Sequence, residues 1–301
     1  MQQTAFQRNL RRALRLASLA SVPWLLSACA AHTAEHAVLP MSELAIANVS
    51  SCRESLALPA PLPAAELDAS SIRLLNWNVQ KNRRDHWQQD FAALSSERNL
   101  VLVQEASLRE DSIGSIDSSR FWSFAAGYTR SGSISGVLTM STARPMTQCS
   151  FVSYEPVLRT PKATSITQYG LTATDETLVV VNVHAINFSM GLGAYQEQFN
   201  QVRAVLRAHT GPIILSGDFN TWRKKRAEFI DSLALDLGLT ALEFPDDHRV
   251  TRFGRHLDHI YVRGLSTLES TTAVVDSSDH NPMSVTLRLY EKQDTSIQAG
   301  S

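Results

Sequence analysis

From residue 71 onward the chain alternates short apolar runs with polar or Gly- and Pro-bearing breaks. Ile72 to Val79, Leu100 to Val103, Val137 to Met140, Thr164 to Thr172, Leu178 to Val183, Ile213 to Leu215, Leu257 to Val262 and Ser284 to Leu289 read as strands. Runs this short with little polar alternation suit strands covered on both faces. Helical spacing appears between them. Asp85 to Glu97 carries Trp87, Phe91 and Leu94, Leu192 to Arg207 forms a second helix closed by Gly211-Pro212, and a third runs from Trp222 or Lys225 to Leu237, where Gly238 stops it. No linker interrupts residues 71–291, so the pattern predicts one α/β domain of stacked sheets with helices outside. The polar tail at 292–301 reads as a frayed end.

The first 70 residues have another texture. Arg8, Arg11, Arg12 and Arg15 form a basic stretch with no acidic residue before Glu35, and Leu16 to Leu26 is apolar apart from serines and Pro23. That run is shorter than the roughly 20 apolar residues of a spanning helix, and the whole reads as an export signal over 1–29. It ends in Leu26-Ser27-Ala28-Cys29, which resembles the lipobox of bacterial lipoproteins. The resemblance implies a lipidated Cys29 that tethers the domain to the membrane on the periplasmic side. Ordinary cleavage nearby and a buried N-terminal helix are the alternatives. Residues 30–70, with Pro59, Pro61 and Pro63 close together, read as a tether or wrapping segment.

Composition narrows the function classes. With 44% hydrophobic and 19% charged residues in 301, the chain is neither disordered, collagen-like nor a polytopic membrane protein. Formal net charge is −1, and without the four signal arginines 24 basic residues face 29 acidic ones, which excludes a global basic field for nucleic acid. Cys29, Cys52 and Cys149 are the cysteines. In an oxidising compartment the last two either pair or remain unrelated thiols, and neither has the Cys/His spacing of a zinc site.

The candidate chemistry lies where apolar runs end in carboxylates, amides or imidazoles. Asn78, Glu105, His184, Asp218 and Asn220 follow strands, Asp258 begins one, and Asp279-His280 precedes the last. Each alone has a bland explanation, such as an Asx turn at Asp218 to Asn220 or a hydrogen-bonded histidine at 184. Together, polar groups at strand ends can converge on one rim.

The strings Asn76-Trp77-Asn78-Val79-Gln80, Val103-Gln104-Glu105, Asn182-Val183-His184, Gly217-Asp218-Phe219-Asn220, Leu257-Asp258-His259 and Ser278-Asp279-His280-Asn281-Pro282 occur in that order. In this, residues 71–290 resemble the endonuclease/exonuclease/phosphatase superfamily, most closely its bacterial YafD-like branch. Val181 to Ser189, Ser135-Gly136-Val137 and the basic segment Arg223 to Arg226 carry the closer likeness. The resemblance implies a four-layer α/β/β/α sandwich and hydrolysis of a phosphodiester.

A phosphodiester is anionic and repels hydroxide, so its hydrolysis needs charge neutralisation, a positioned water and help at the leaving oxygen. By resemblance Glu105, with Asn78 and Asp279, holds Mg²⁺ or Mn²⁺. Asp218 aligns the attacking water and Asn220 fixes Asp218 or contacts phosphate. His280, oriented by Asp258, stabilises transition-state charge. His184 and Asn187 contact phosphate from the other side, and Arg223 and Lys224 reach further phosphates or form a solvated helix start. Gln80 stands where several relatives carry an acid, which favours one metal over two. His259 reads as strand filler. Trp77, Trp87 and Trp122 read as core or rim, and Trp222 is the candidate for base stacking. The substrate expected is a phosphodiester, with a nuclease favoured; a phospholipid head-group or phosphomonoester hydrolase and a catalytically silent binding module are the alternatives. Nothing implies a protein partner.

Overall fold

The computed structural model describes residues 45–58, 65–109, 120–130 and 132–290. The expected signal at 1–29 with Cys29, much of the expected tether and the tail at 292–301 lie outside them. Two six-stranded sheets stack on each other. In the first, β1 (Ile72–Asn78) lies between β2 (Leu100–Arg109) and β14 (Met283–Leu289); β4 (Ser133–Ser141) and β3 (Phe121–Arg130) extend the β2 side, and β13 (Leu265–Thr272) closes the other. The second runs β5 (Thr147–Tyr154), β6 (Pro161–Gly170), β7 (Thr177–His184), β8 (Ile213–Asp218), β12 (Asp258–Arg263), β9 (Thr240–Ala241). A separate hairpin joins β10 (Thr251–Arg252) to β11 (Arg255–His256). The central pairs β1/β2 and β7/β8 are parallel and the other pairings antiparallel, so both sheets are mixed.

Helices α1 (Val49–Ala57), α3 (Gly193–Leu206) and α4 (Lys224–Leu237) cover the second sheet, and α2 (Trp87–Ser95) lies against the first. This is the expected four-layer sandwich. The helices form because apolar side chains recur at helical spacing on one face: Tyr195, Phe199, Val202 and Leu206 in α3, and Ile230, Leu233, Ala234 and Leu237 in α4 are buried. Gly238 ends α4 in the left-handed conformation at φ 65°.

Period two along the central strands sorts the layers. Val179, Val181, Val183, Ile213 and Leu215 meet the helices. Leu178, Val180, Ile214 and Ile260 meet Ile72, Leu74, Leu100 and Leu102 of the facing sheet. One step along the inward-facing positions, the interlayer turns polar. Gln104 Nε2 donates to Asn76 Oδ1 at 2.9 Å and to Asn182 Oδ1 at 2.7 Å; Ser216 Oγ donates to the same Asn76 oxygen at 2.9 Å. These four side chains come from both sheets and are at most 1% exposed.

Several elements differ from the sequence expectation. The run expected to stop at Gln104-Glu105 continues to Arg109, because a β-bulge between Val103 and Ala106 absorbs the polar pair and pairing with β4 resumes. Strands β3, β5 and β13 carry no continuous apolar run; they are sheet edges with exposed positions, which masks their period. Within the stretch read as tether or wrapping segment, Asn48 caps α1 by accepting from the Ser50 and Ser51 amides. Ile46 pairs with the β5 backbone, and Cys52 is disulfide-bonded to Cys149.

The disulfide links positions 97 residues apart. Cys149→Ser should lower the unfolding free energy by about 2–4 kcal/mol. Urea titrations of the variant, and of the wild type with and without reductant, measure this; equal midpoints would show that the bond adds nothing.

Candidate active site

Strand register builds the site. His184 at the end of β7 pairs with Asp218 at the end of β8, and Asp218 pairs with Asp258 at the start of antiparallel β12. Three neighbouring strands thus present an imidazole and two carboxylates on one rung. Asn78 ends β1 in the facing sheet, beside Gln104 on β2. Gly217 makes the close approach possible. It lies at φ 146°, and a Cβ there would sit 1.9 Å from the Val183 carbonyl oxygen, so no other residue fits. Asn220 follows at φ 50°, a left-handed position that asparagine tolerates.

Asp218 is held from three sides. The Asn220 amide donates to Oδ1 at 3.0 Å, while Asn78 Nδ2 and Asn220 Nδ2 donate to Oδ2 at 3.1 and 3.3 Å. Burial pushes its pKa up to about 6, with the neighbouring Asp258 adding to the rise and His280 opposing it. His280 Nδ1 lies 2.6 Å from Asp258 Oδ2. Burial disfavours the imidazolium, but Asp258, Asp218 and Asp279 outweigh it and hold the pKa up to about 10. Nδ1 therefore carries a proton toward Asp258, and His280 lines the cleft. The Trp77 indole donates to the His280 carbonyl at 2.9 Å, and Ser278 Oγ donates to the Asn78 carbonyl at 2.6 Å. Those two bonds join the first strand to the loop carrying His280.

His184 Nε2 lies 3.7 Å from Glu105 Oε1, 3.6 Å from Asp218 Oδ2 and 2.8 Å from Lys162 Nζ. Burial and the nearby Lys162 ammonium keep its pKa well below the usual range, so the ring is neutral and accepts from the lysine. Burial also lowers Lys162, against the pull of Glu105 and Asp218. Glu105 stands on the bulge at φ 52°, and its carboxylate faces Lys81 Nζ at 3.4 Å. Lys81 comes from an unusual turn in which Gln80, Lys81 and Asn82 all have φ between 50° and 60°. Non-glycine residues there cost about 1–3 kcal/mol each and gather at functional sites.

These groups open into a cleft of about 520 Å³. Glu105, His184, Asn187, Asp218, Asn220, Asp279 and His280 line it. Asp258 lies behind His280, and Asn78 is buried, with Oδ1 taken by the Gln80 amide and Nδ2 by Asp218. The basic run does not gather here. Lys224 is exposed and pairs with Glu228, while the Arg223 guanidinium stacks on Trp222 at 4.3 Å. Arg226 is buried; it donates to the carbonyls of Asn220 and Asn187 and to Ser189 Oγ, fastening two site loops together. Trp222 is a second fastening, its indole donating to Asn187 Oδ1 at 2.9 Å. His259 is structural: it contacts Thr221 Oγ1 at 2.7 Å, and burial pushes its pKa to about 3.

Lys81, Lys162, Arg83 and Arg252 were not among the sequence candidates. Neither was Gln198, whose Nε2 donates to the His184 carbonyl and whose Oε1 accepts from Ile186 N, nor Glu155, which accepts from the Asn187 and Phe188 amides. Asn76, Gln104 and Asn182 stood inside the diagnostic strings as polar breaks in apolar strands; Lys162 sits in a stretch with no such signal.

The endonuclease/exonuclease/phosphatase family model matches residues 75–280. A UPF0294 protein of Vibrio parahaemolyticus is 36% identical over 228 residues, covering 74% of this chain and 80% of that protein. One of Yersinia pestis is 36% identical over 241 residues, covering 77% and 88%. Among solved structures, an endonuclease/exonuclease/phosphatase from Beutenbergia cavernae has a TM-score of 0.57 at 16% identity, covering 73% of this chain and 72% of its own. ANGEL2, a 2′,3′-cyclic phosphatase in complex with adenosine-2′,3′-vanadate, scores 0.55 at 14%, covering 75% and 98%. D. rerio TDP2 complexed with single strand DNA product scores 0.54 at 15%, covering 73% and 99%. At these identities the structural likeness shows the fold alone.

The His280 imidazolium should persist to about pH 9 in ¹⁵N NMR titration, and Asp258→Asn should return it to the unperturbed range near 6.5 or below. The folded value lies above the unfolded one near 6.5. The pair therefore stabilises the fold fully below that pH and loses its contribution as pH rises through about 10. Titration of the wild-type ring near pH 6.5 would contradict the pairing.

Proposed function

The chain belongs to the endonuclease/exonuclease/phosphatase family, and from that premise we propose that it hydrolyses a phosphodiester with the help of a divalent cation, at the cell envelope. The observation that carries the reading is the Asp258–His280 pair set beside Asp218 at the floor of one cleft. A neutral or silent binding pocket has no need of a buried imidazolium facing a buried carboxylate.

The donor set is consistent with a hard, loosely caged cation. Among the described residues no three His, Cys, Asp or Glu groups converge tightly enough to cage a metal ion. Glu105, with the exposed Asp279 on the same cleft wall and the remaining lone pair of Asn78 Oδ1, offers oxygen donors only. That suits Mg²⁺ or Mn²⁺, which keep waters and take substrate oxygens, and not zinc. When bound, the cation would neutralise charge on the phosphate. Glu105 would exchange its Lys81 partner for the cation, leaving that ammonium free for a phosphate oxygen.

The chain's own residues act on the attacking water and the phosphoryl oxygens, and the departing oxygen takes its proton from solvent in the open cleft. Asp218 orients the attacking water and draws its proton; burial has already made it a stronger base than an exposed carboxylate. Three donors fix its two oxygens, so the water is aimed and not merely attracted. His280, held by Asp258, meets the charge that builds on the phosphoryl oxygens. Asn187, its Oδ1 engaged by Trp222, turns Nδ2 toward a second oxygen.

Arg223 and Lys224, expected to follow a long polyanion, lie off the cleft wall, so the reading rests on the diester and not on an extended strand. A phospholipid head group is the second reading, supported by exposed Phe188 and Phe253 at the cleft mouth. Export with lipidation of Cys29 belongs to the proposal, and the Cys52–Cys149 disulfide supports an oxidising compartment.

Purified protein should hydrolyse a chromogenic diester with Mg²⁺ or Mn²⁺, and EDTA should abolish the rate. Asp218→Ala and His280→Ala should each lower kcat about 100-fold or more. A parallel screen of DNA, RNA, phospholipids and inositol phosphates, with Asp218→Ala as control, identifies the substrate. A rate indifferent to EDTA, or near-full activity in either variant, would overturn the assignment.

A further inference from the structure

Three apolar side chains stand in solvent on the segments that border the cleft, Phe188 and Phe253 on its wall and Met190 two residues beyond Phe188. Phe188 is 57% exposed, Met190 90% and Phe253 81%. They belong to one rim: Phe188 and Phe253 line the same cleft, the Phe253 ring lies 6.0 Å from Trp222, and Trp222 bonds Asn187 next to Phe188. Met190 follows Ser189, whose carbonyl accepts from Arg223.

Phe253 is the most telling. Arg252 pairs with Arg255, so Phe253-Gly254 is a two-residue hairpin loop, with φ 51° and 73°. Both central residues lie at positive φ, as in a type I′ turn, where asparagine, aspartate or glycine is normal at the first position. A phenylalanine there is strained and gains little burial in return. The hairpin holds a phenyl ring outward at a cost to the fold, which points to a partner outside it.

The same segments carry one sign of charge. Residues 185–192, 219–227 and 249–257 contain no acidic side chain, and Arg223, Lys225, Arg252 and Arg255 flank the apolar tips, while Lys224 pairs with Glu228 just beyond. Apolar tips bordered by cations are the pattern of an element lying in a membrane interface on anionic lipid. Nucleic acid fits less well. Trp222 has Arg223 and Arg226 over its ring at 4.3 and 5.1 Å, so little of it is left for a base, and Met190 offers no aromatic face. Residues 30–44 separate Cys29 from the first described residue, and fifteen extended residues reach at most about 50 Å. That length lets an anchored domain bring its rim to the bilayer.

We propose that the rim of Phe188, Met190 and Phe253 docks on an anionic lipid surface, so that the cleft opens onto phospholipid head groups. Docking stands on the rim alone; only the head group as substrate rests on the diester-hydrolase reading.

The test uses the protein carrying Cys29→Ser, so that no acyl chain contributes, in flotation with phosphatidylglycerol/phosphatidylethanolamine vesicles and with phosphatidylcholine vesicles. Binding should favour the anionic vesicles and weaken with salt. Met190→Ser together with Phe253→Ser should reduce it about tenfold or more, with an unchanged thermal melt showing that these exposed positions leave the fold intact. Arg252→Ala should cost about fivefold on anionic vesicles and little on neutral ones. Failure of the Cys29→Ser protein to bind anionic vesicles overturns the proposal, as does single-stranded oligonucleotide binding that the double serine change abolishes in the absence of any vesicle binding. The Cys29→Ser protein is also assayed on a water-soluble chromogenic diester. Turnover without vesicle binding sinks docking and leaves the hydrolase; vesicle binding without turnover sinks the hydrolase and leaves docking.

Discussion

The site depends on a hydrogen-bonded layer that the sheets share beneath it. Gln104 bridges Asn76 of its own sheet and Asn182 of the facing one, and Ser216 returns the connection to Asn76. Hydrocarbon packing alone would let the sheets slide, because leucine and valine are interchangeable over a few ångströms. Buried amides are not. Among the described residues Asn76 Nδ2 and Gln104 Oε1 already lack a partner, and a slip would also break the three bonds that the layer makes, each unpaired group costing about 1–3 kcal/mol. A one-residue change of register would also turn Asn78, His184 and Asp218 to the other face of their sheets. The amide layer is thus a registration device, and the reactive groups stand one inward-facing position further along the same strands.

Unfavourable backbone gathers at this rim, although His86, Arg159 and Ala173 also have positive φ away from it. Glu105, Asn220 and the Gln80–Asn82 turn all have positive φ, and each delivers a group to the cleft or steadies one that lines it. Regular strands present side chains every second residue to one face. Bringing Glu105 round to oppose Lys81 requires the β2 bulge, and aiming Asp218 requires the sharp exit through Phe219 to Asn220, whose amide returns to Asp218. Buried anchors hold these distortions: Arg226 across the Asn187 and Asn220 loops, Gln198 across the His184 loop, Glu155 beneath Phe188.

Central strands and the helices α2, α3 and α4 were legible in the amino-acid pattern, since both show a strong period; the short α1 was not. Edge strands β3, β5 and β13 were not, because half their positions face solvent and polar residues break the run. The carboxylates, amides and imidazoles that line the cleft were legible as polar endings of apolar strands, and the likeness to a known family ordered them. The two lysines escaped. Lys81 carried no signal of its own in the sequence, and only the left-handed turn shows why it reaches Glu105. Lys162 follows a proline at the start of β6, where a charged residue ordinarily stays in water. In the basic run Arg223 to Arg226, both arginines pack on aromatic rings, Arg223 on Trp222 and Arg226 on Tyr195, which the sequence did not show.

The strand order has a consequence for how the molecule comes into being. The first long strand, β1, is flanked on one side by β14, the last, and β14 in turn holds β13. His280 precedes that final strand by three residues, and its carbonyl is fastened to Trp77 of the first. The chain's end therefore completes the sheet and the reactive centre in a single event. A chain cut short before His280 would lack both the closing strand and the imidazole that lines the cleft.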